Sequence, residues 1–158
     1  MTVSTSATIG GEHPSVVVKS WPHGPRSVDR ARRLLARHLE AWSLGHLADA
    51  AELVVSELLT NSVRHAREPR GHVIGTRFER LRCGVRIEVH DAGVDKPERR
   101  EASADAESGR GLALVDVITG GRWGVNDRDG VGKVVWAVCA DDGTDADSPY
   151  AGASPLAG

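Results

Sequence analysis

Ser56-Glu57-Leu58-Leu59-Thr60-Asn61-Ser62-Val63-Arg64-His65-Ala66 holds three polar residues at an interval of four: Glu57, Asn61 and His65. On a helix they share one face, because positions i and i+4 are neighbours. A carboxylate, a carboxamide and an imidazole along one stripe of an otherwise apolar helix read as a site rather than a surface. The residue types alone say less, since a helical Glu is usually exposed to solvent.

The helix that carries the stripe is expected from about residue 46 to residue 66. Leu47, Ala50, Ala51, Val54, Leu58 and Leu59 are available for packing, and Pro69 and Gly71 stop it. Upstream, the β-branched residues 15–21 read as a strand stopped by Pro22. Ser27 is the expected N-cap of a first helix with Ala31, Leu34, Leu35, His38 and Trp42 at helical spacing. Arg30, Arg33, Arg37 and Glu40 lie on its opposite face and read as a solvated surface, with docking to an acidic partner as the alternative. His38 reads as a core histidine.

Downstream, strands are expected over residues 72–80 and 83–90, where Val85, Ile87 and Val89 alternate with polar residues. Asp91-Ala92-Gly93 ends the second. Residues 94–108 are polar and charged and read as a mobile loop. Gly109-Arg110-Gly111 opens an apolar helical run to Ile118, closed by Gly120-Gly121. A final hairpin pairs residues 122–125 with residues 132–139 around a turn at 127–130. This order gives α+β or α/β, with a mixed sheet covered by helices on one face. Residues 1–13 read as a flexible N-terminal arm, 14–140 as the domain and 141–158 as a disordered tail.

Composition narrows the function classes. The 158 residues suit about one domain with a real core. A net charge of −2 makes no bulk case for nucleic acid or an anionic membrane. No apolar run approaches the roughly 18 residues of a membrane span, and the N-terminus has no signal-peptide pattern. Cys83 and Cys139 stand far apart in apolar stretches and read as two reduced, buried thiols, with no Cys-x-x-Cys pair for zinc. A cytoplasmic protein is expected.

Four elements could carry chemistry: the Glu57/Asn61/His65 stripe, Asp91-x-Gly93, Gly109-x-Gly111 and Gly132-Lys133. A glycine-rich turn at a helix start offers unpaired N–H groups and a positive dipole end to phosphate. An Asp at a strand end can accept from an exocyclic amine such as that of adenine. An Asn oxygen is a hard ligand for Mg²⁺. A nearby Glu can take a proton from an attacking hydroxyl or water. The P-loop motif is absent, and the Gly109 turn lacks the third glycine of the dinucleotide fingerprint.

Taken in this order and spacing, these residues resemble the Bergerat-fold (histidine-kinase-like) ATP-binding domain of histidine kinases, gyrase and mismatch-repair ATPases. Within it the likeness is greatest to stand-alone anti-sigma-factor serine/threonine kinases and their actinobacterial relatives. It covers roughly residues 15–140. The resemblance implies an α+β two-layer sandwich: a mixed, mostly antiparallel sheet with helices on one face. It implies ATP and Mg²⁺ as cofactors, Glu57 as general base and Asn61 as the Mg²⁺ ligand. Asp91, with Gly93 in the same box, would bind the adenine amino group. Gly109, Arg110, Gly111 and Leu112 would contact phosphate, and residues 94–108 would form the ATP lid. His65-Ala66 fits the family's ending of the helix motif. The chain departs from the pattern at Asp95, where a Gly is usual, and at Val134, where a Thr often follows Gly-Lys to support the adenine-binding Asp.

The implied activity is phosphorylation of a serine or threonine on an anti-anti-sigma (STAS-type) protein, controlling a sigma factor. The partners would be that protein, the sigma factor or both, without nucleic acid or membrane, and a homodimer stays open. The alternative is a non-catalytic ATP-binding module that sequesters a sigma factor or other regulator. A stand-alone ATPase of the mismatch-repair kind ranks last, since those machines draw a catalytic Lys from a second domain.

Overall fold

The computed structural model describes residues 3–5, 14–65, 73–91, 106–127 and 132–141. Along them the chain runs β1 (Val3–Thr5), β2 (Val16–Pro22), α1 (Pro25–Ala41), a 3-10 turn (Gly45–Leu47), α2 (Ala48–His65), β3 (Val73–Arg80), β4 (Gly84–Asp91), α3 (Ala106–Thr119), β5 (Trp123–Asp127) and β6 (Lys133–Ala140). The strands form one sheet in the order β1-β2-β3-β4-β6-β5. This is the expected α+β arrangement of a sheet layer and a helix layer. All described pairings are antiparallel, so no mixed pairing occurs among them.

Strand alternation decides which face is covered. β2 buries Val17 and Trp21, and β3 buries Ile74, Thr76 and Phe78. β4 adds Val85, Ile87 and Val89, and β6 adds Ala137 and Cys139. Against this face pack Leu35 and Leu39 of α1, and Val54, Val55, Leu58 and Leu59 of α2. Each such residue contributes roughly 1.5–3 kcal/mol relative to exposure, so the sheet–helix interface fixes where α2 lies. The Trp21 indole N–H donates to Thr76 Oγ1 at 2.9 Å, satisfying both inside the core. At the far end of β4, a Cβ on Gly84 would collide with the Cys139 carbonyl and Ala140, so only glycine lets β4 meet β6 there.

Three boundaries and one burial differ from the sequence expectation. Val3–Thr5, inside the expected flexible arm, pairs with β2; two β-branched residues flanking Ser4 suit an edge strand. Helix α1 begins at Pro25, which fits the first helical turn, where its missing N–H costs nothing. Ser27 is therefore inside the helix, and its hydroxyl donates back to the Pro22 carbonyl at 2.5 Å. Helix α3 begins at Ala106, inside the segment expected to be loop and lid, rather than at Gly109. Cys139 is buried as expected, but Cys83, in the β3–β4 turn, is only half-buried. Asp127 ends β5; residues 128–130 of the expected turn, most of the lid and the tail from 142 lie outside the described residues. No described helix is long and apolar enough to cross a membrane.

Candidate functional site

Helix α2 lies over β4 and beside α3, and this places three of its polar residues differently. Val55, Leu58, Leu59 and Ser62 occupy the buried stripe. Glu57 and Asn61, one turn apart, are half-buried on a flank of that stripe. Glu57 reaches α3: its Oε1 would stand 2.5 Å from a Cβ built on Gly111. The backbone of His65 closes α2, and its side chain lies outside the described residues.

Asp91 is the last residue of β4 and is 7% exposed. Antiparallel register sets it opposite Ile74 of β3 and Lys133 of β6. Alternation then points Asp91 and Lys133 to the helix-covered face. There the Ser62 hydroxyl donates to Asp91 Oδ2 at 3.1 Å, a buried bond from helix to strand end. Lys133 is half-buried. Burial pushes its ammonium below the ordinary lysine value, and the Asp91 charge opposes that without cancelling it. The strand end therefore carries a buried carboxylate held by a hydroxyl and faced by a cation.

This register changes the meaning of Val134. It pairs with His90 on the outer face of the sheet, so its side chain points away from Asp91. A Thr at 134 would not reach the carboxylate in this structure. Ser62 supplies the hydroxyl instead. Its signal in the sequence is that Ser62 continues the i, i+3, i+4, i+7 stripe of Val55, Leu58 and Leu59 and so is a polar residue at a core position. The signal for Lys133 is the inward set Lys133, Val135, Ala137 and Cys139.

The glycine-rich element sits otherwise than expected. With α3 starting at Ala106, Gly109 and Gly111 fall inside the helix, and the amide of Gly111 lies beyond the first four N–H groups that a helix leaves unpaired. Leu112 is half-buried against the core. The side chain of Arg110, and Gly93 altogether, lie outside the described residues. The structure thus joins Glu57 to the Gly111 turn and Ser62 to Asp91, with Asn61 on α2 between these contacts.

A divalent ion would find a modest donor set. Among the described residues no group of three or more His, Cys, Asp or Glu gathers in metal-binding geometry. The half-buried Asn61 carboxamide is a hard oxygen donor of the kind Mg²⁺ uses, where phosphate and water supply most of the shell.

The family model of the histidine kinase-like ATPase domain matches residues 21–139, from the end of β2 to the end of β6. The chain belongs to that family. No curated protein matches it.

Proposed function

We propose that this histidine kinase-like ATPase domain binds Mg·ATP between α2, the Asp91 end of β4 and α3, and passes the γ-phosphate to a serine or threonine of an anti-anti-sigma (STAS-type) protein, thereby controlling a sigma factor. The observation that carries the reading is the division of α2. Glu57 and Asn61 line one flank, one turn apart and half-buried. Ser62 turns inward to hold the buried carboxylate of Asp91.

Asp91 is an acceptor at the strand end and suits an exocyclic amine of the base. The Asn61 carboxamide oxygen would hold Mg²⁺, which would supply positive charge against that developing on the phosphate. Glu57 takes the proton of the partner's hydroxyl. The freed oxygen attacks the γ-phosphorus in line, the bond to the bridging oxygen breaks, and ADP leaves with the electron pair. The half-buried position of Glu57 keeps its carboxylate close to the site yet within reach of a docked protein.

General-base catalysis is typically worth about 10²–10⁴ in rate. Glu57→Gln keeps the shape of the side chain and removes its basicity. Phosphoryl transfer to co-purified partners, followed with labelled ATP, should slow by that factor while calorimetry still finds Mg·ATP bound. Transfer at the wild-type rate would remove Glu57 from the role. Binding without transfer in the wild-type protein would instead favour the sequestering module.

A further inference from the structure

Gly111 is a glycine buried inside a helix, where alanine would be the more stable choice. Space explains it. A Cβ at Gly111 would lie 2.5 Å from Glu57 Oε1 and 3.5 Å from Glu57 Cδ. Cβ atoms essentially never approach an oxygen so closely, so one of the two must move. Helix α3 is anchored by buried Val115 and Thr119 and by half-buried Leu112 and Ile118. Glu57 is the movable partner, because the conflict is with the far end of a flexible side chain.

From this we infer that Gly111 is a positioning residue for Glu57: the missing Cβ is the seat that holds the Glu57 carboxylate at its working place against α3. The inference rests on the reading of Glu57 as general base only for its catalytic consequence. The steric coupling itself needs no nucleotide. A side chain at 111 leaves the fold intact and displaces the carboxylate, and a misplacement of about 1 Å in a reacting group can cost roughly 10²-fold in rate.

A double-mutant cycle in the whole chain tests it. Gly111→Ala, Glu57→Ala and the double variant are unfolded in urea without nucleotide. Alanine at 111 should raise the urea midpoint in the Glu57→Ala background and lower it, or leave it unchanged, beside the native Glu57. Equal shifts in both backgrounds would overturn the inference, as would a Gly111→Ala chain that fails to fold even with Ala at 57. In transfer assays Gly111→Ala should lose roughly 10²-fold in kcat, with KM for Mg·ATP changed less than about threefold. Glu57→Asp, shorter by one methylene, clears the added methyl and should lose little further when Gly111→Ala is added to it. A Gly111→Ala defect confined to KM would assign the glycine to ligand approach and overturn the positioning role. If Glu57→Gln transfers at the wild-type rate, the base assignment falls while the urea cycle still decides the seat.

Discussion

Glu88→Gln should destabilise the protein at neutral pH by an amount that disappears in acid. Glu88 lies on the outer face of the sheet, opposite Arg77 of β3 and Trp136 of β6. Its side chain is only 11% exposed. Glu88 Oε2 accepts from Arg86 Nε at 2.8 Å and lies 3.5 Å from an Arg77 terminal nitrogen, while Oε1 lies 2.8 Å from His90 Nε2. The Arg86 guanidinium also stacks 4.7 Å from the Trp136 ring centre, which holds it in place. Burial pushes the Glu88 carboxyl up, but the His90 and Arg86 hydrogen bonds and the charges of Arg86 and Arg77 outweigh it and bring it from 4.5 to about 2. At ~1.36 kcal/mol per decade that fall is worth about 3 kcal/mol. The acid is stronger in the folded state, so the stabilisation is complete above pH 4.5 and is lost as pH falls towards 2. Glutamine keeps the shape and one acceptor but leaves two guanidinium groups without their shared anion. Removing one partner of a buried pair typically costs about 3–5 kcal/mol, and the residual exposure places the expected loss near the bottom of that range. Urea unfolding followed by tryptophan fluorescence at pH 7, 5 and 3.5 reads it directly. The gap between wild type and variant should be similar at pH 7 and 5 and clearly smaller at pH 3.5. No gap at pH 7, or the same gap at all three values, would refute the reasoning.

Two further outcomes follow from the core side of the sheet. Ser62→Ala removes the donor to a buried carboxylate at 3.1 Å. A hydrogen bond to a charged group is worth about 1.5–3 kcal/mol, so the Kd for Mg·ATP by calorimetry should rise at least roughly tenfold; an unchanged Kd would separate Ser62 from nucleotide binding. Burial pushes the Cys139 thiol up to about 12 against the opposing charge of Arg122, so iodoacetamide at pH 8 should label only half-buried Cys83 in the native protein and both thiols in urea, as read by mass spectrometry.

What the sequence disclosed and what it withheld divide along a physical line. The α2 stripe was legible because Val55, Leu58 and Leu59 repeat at helical spacing and Glu57 and Asn61 fall off that repeat. β4 was legible because Val85, Ile87 and Val89 alternate. Both signals are local. The start of α3 was not legible, because after Val94 residues 95–108 hold no large apolar side chains to mark a period. Neither the Arg77–Glu88–Arg86 network nor the Asp91–Lys133 pairing is written along the chain. Each depends on strand register, β3 against β4 for the first and β4 against β6 for the second. The same holds for Val134, whose meaning reversed once its partner proved to be His90.

Register also separates the two ends of the site. Asp91 is held by a hydrogen bond from Ser62 and faced by Lys133, both electrostatic interactions across the helix–sheet interface. Glu57 is placed by shape, through the space that Gly111 leaves in α3. No described hydrogen bond or ion pair joins Ser62 or Lys133 to Glu57 or Gly111. Changes at the two ends therefore share no hydrogen-bonding or charged partner, and free energies of sites without shared partners add. Combining Ser62→Ala with Gly111→Ala should weaken nucleotide binding by the first substitution's factor and slow transfer by the second's. A combined defect that departs from the product of the two by more than about threefold would show that α2 transmits strain between Asn61 and Ser62, and that affinity and turnover in this site are one property rather than two.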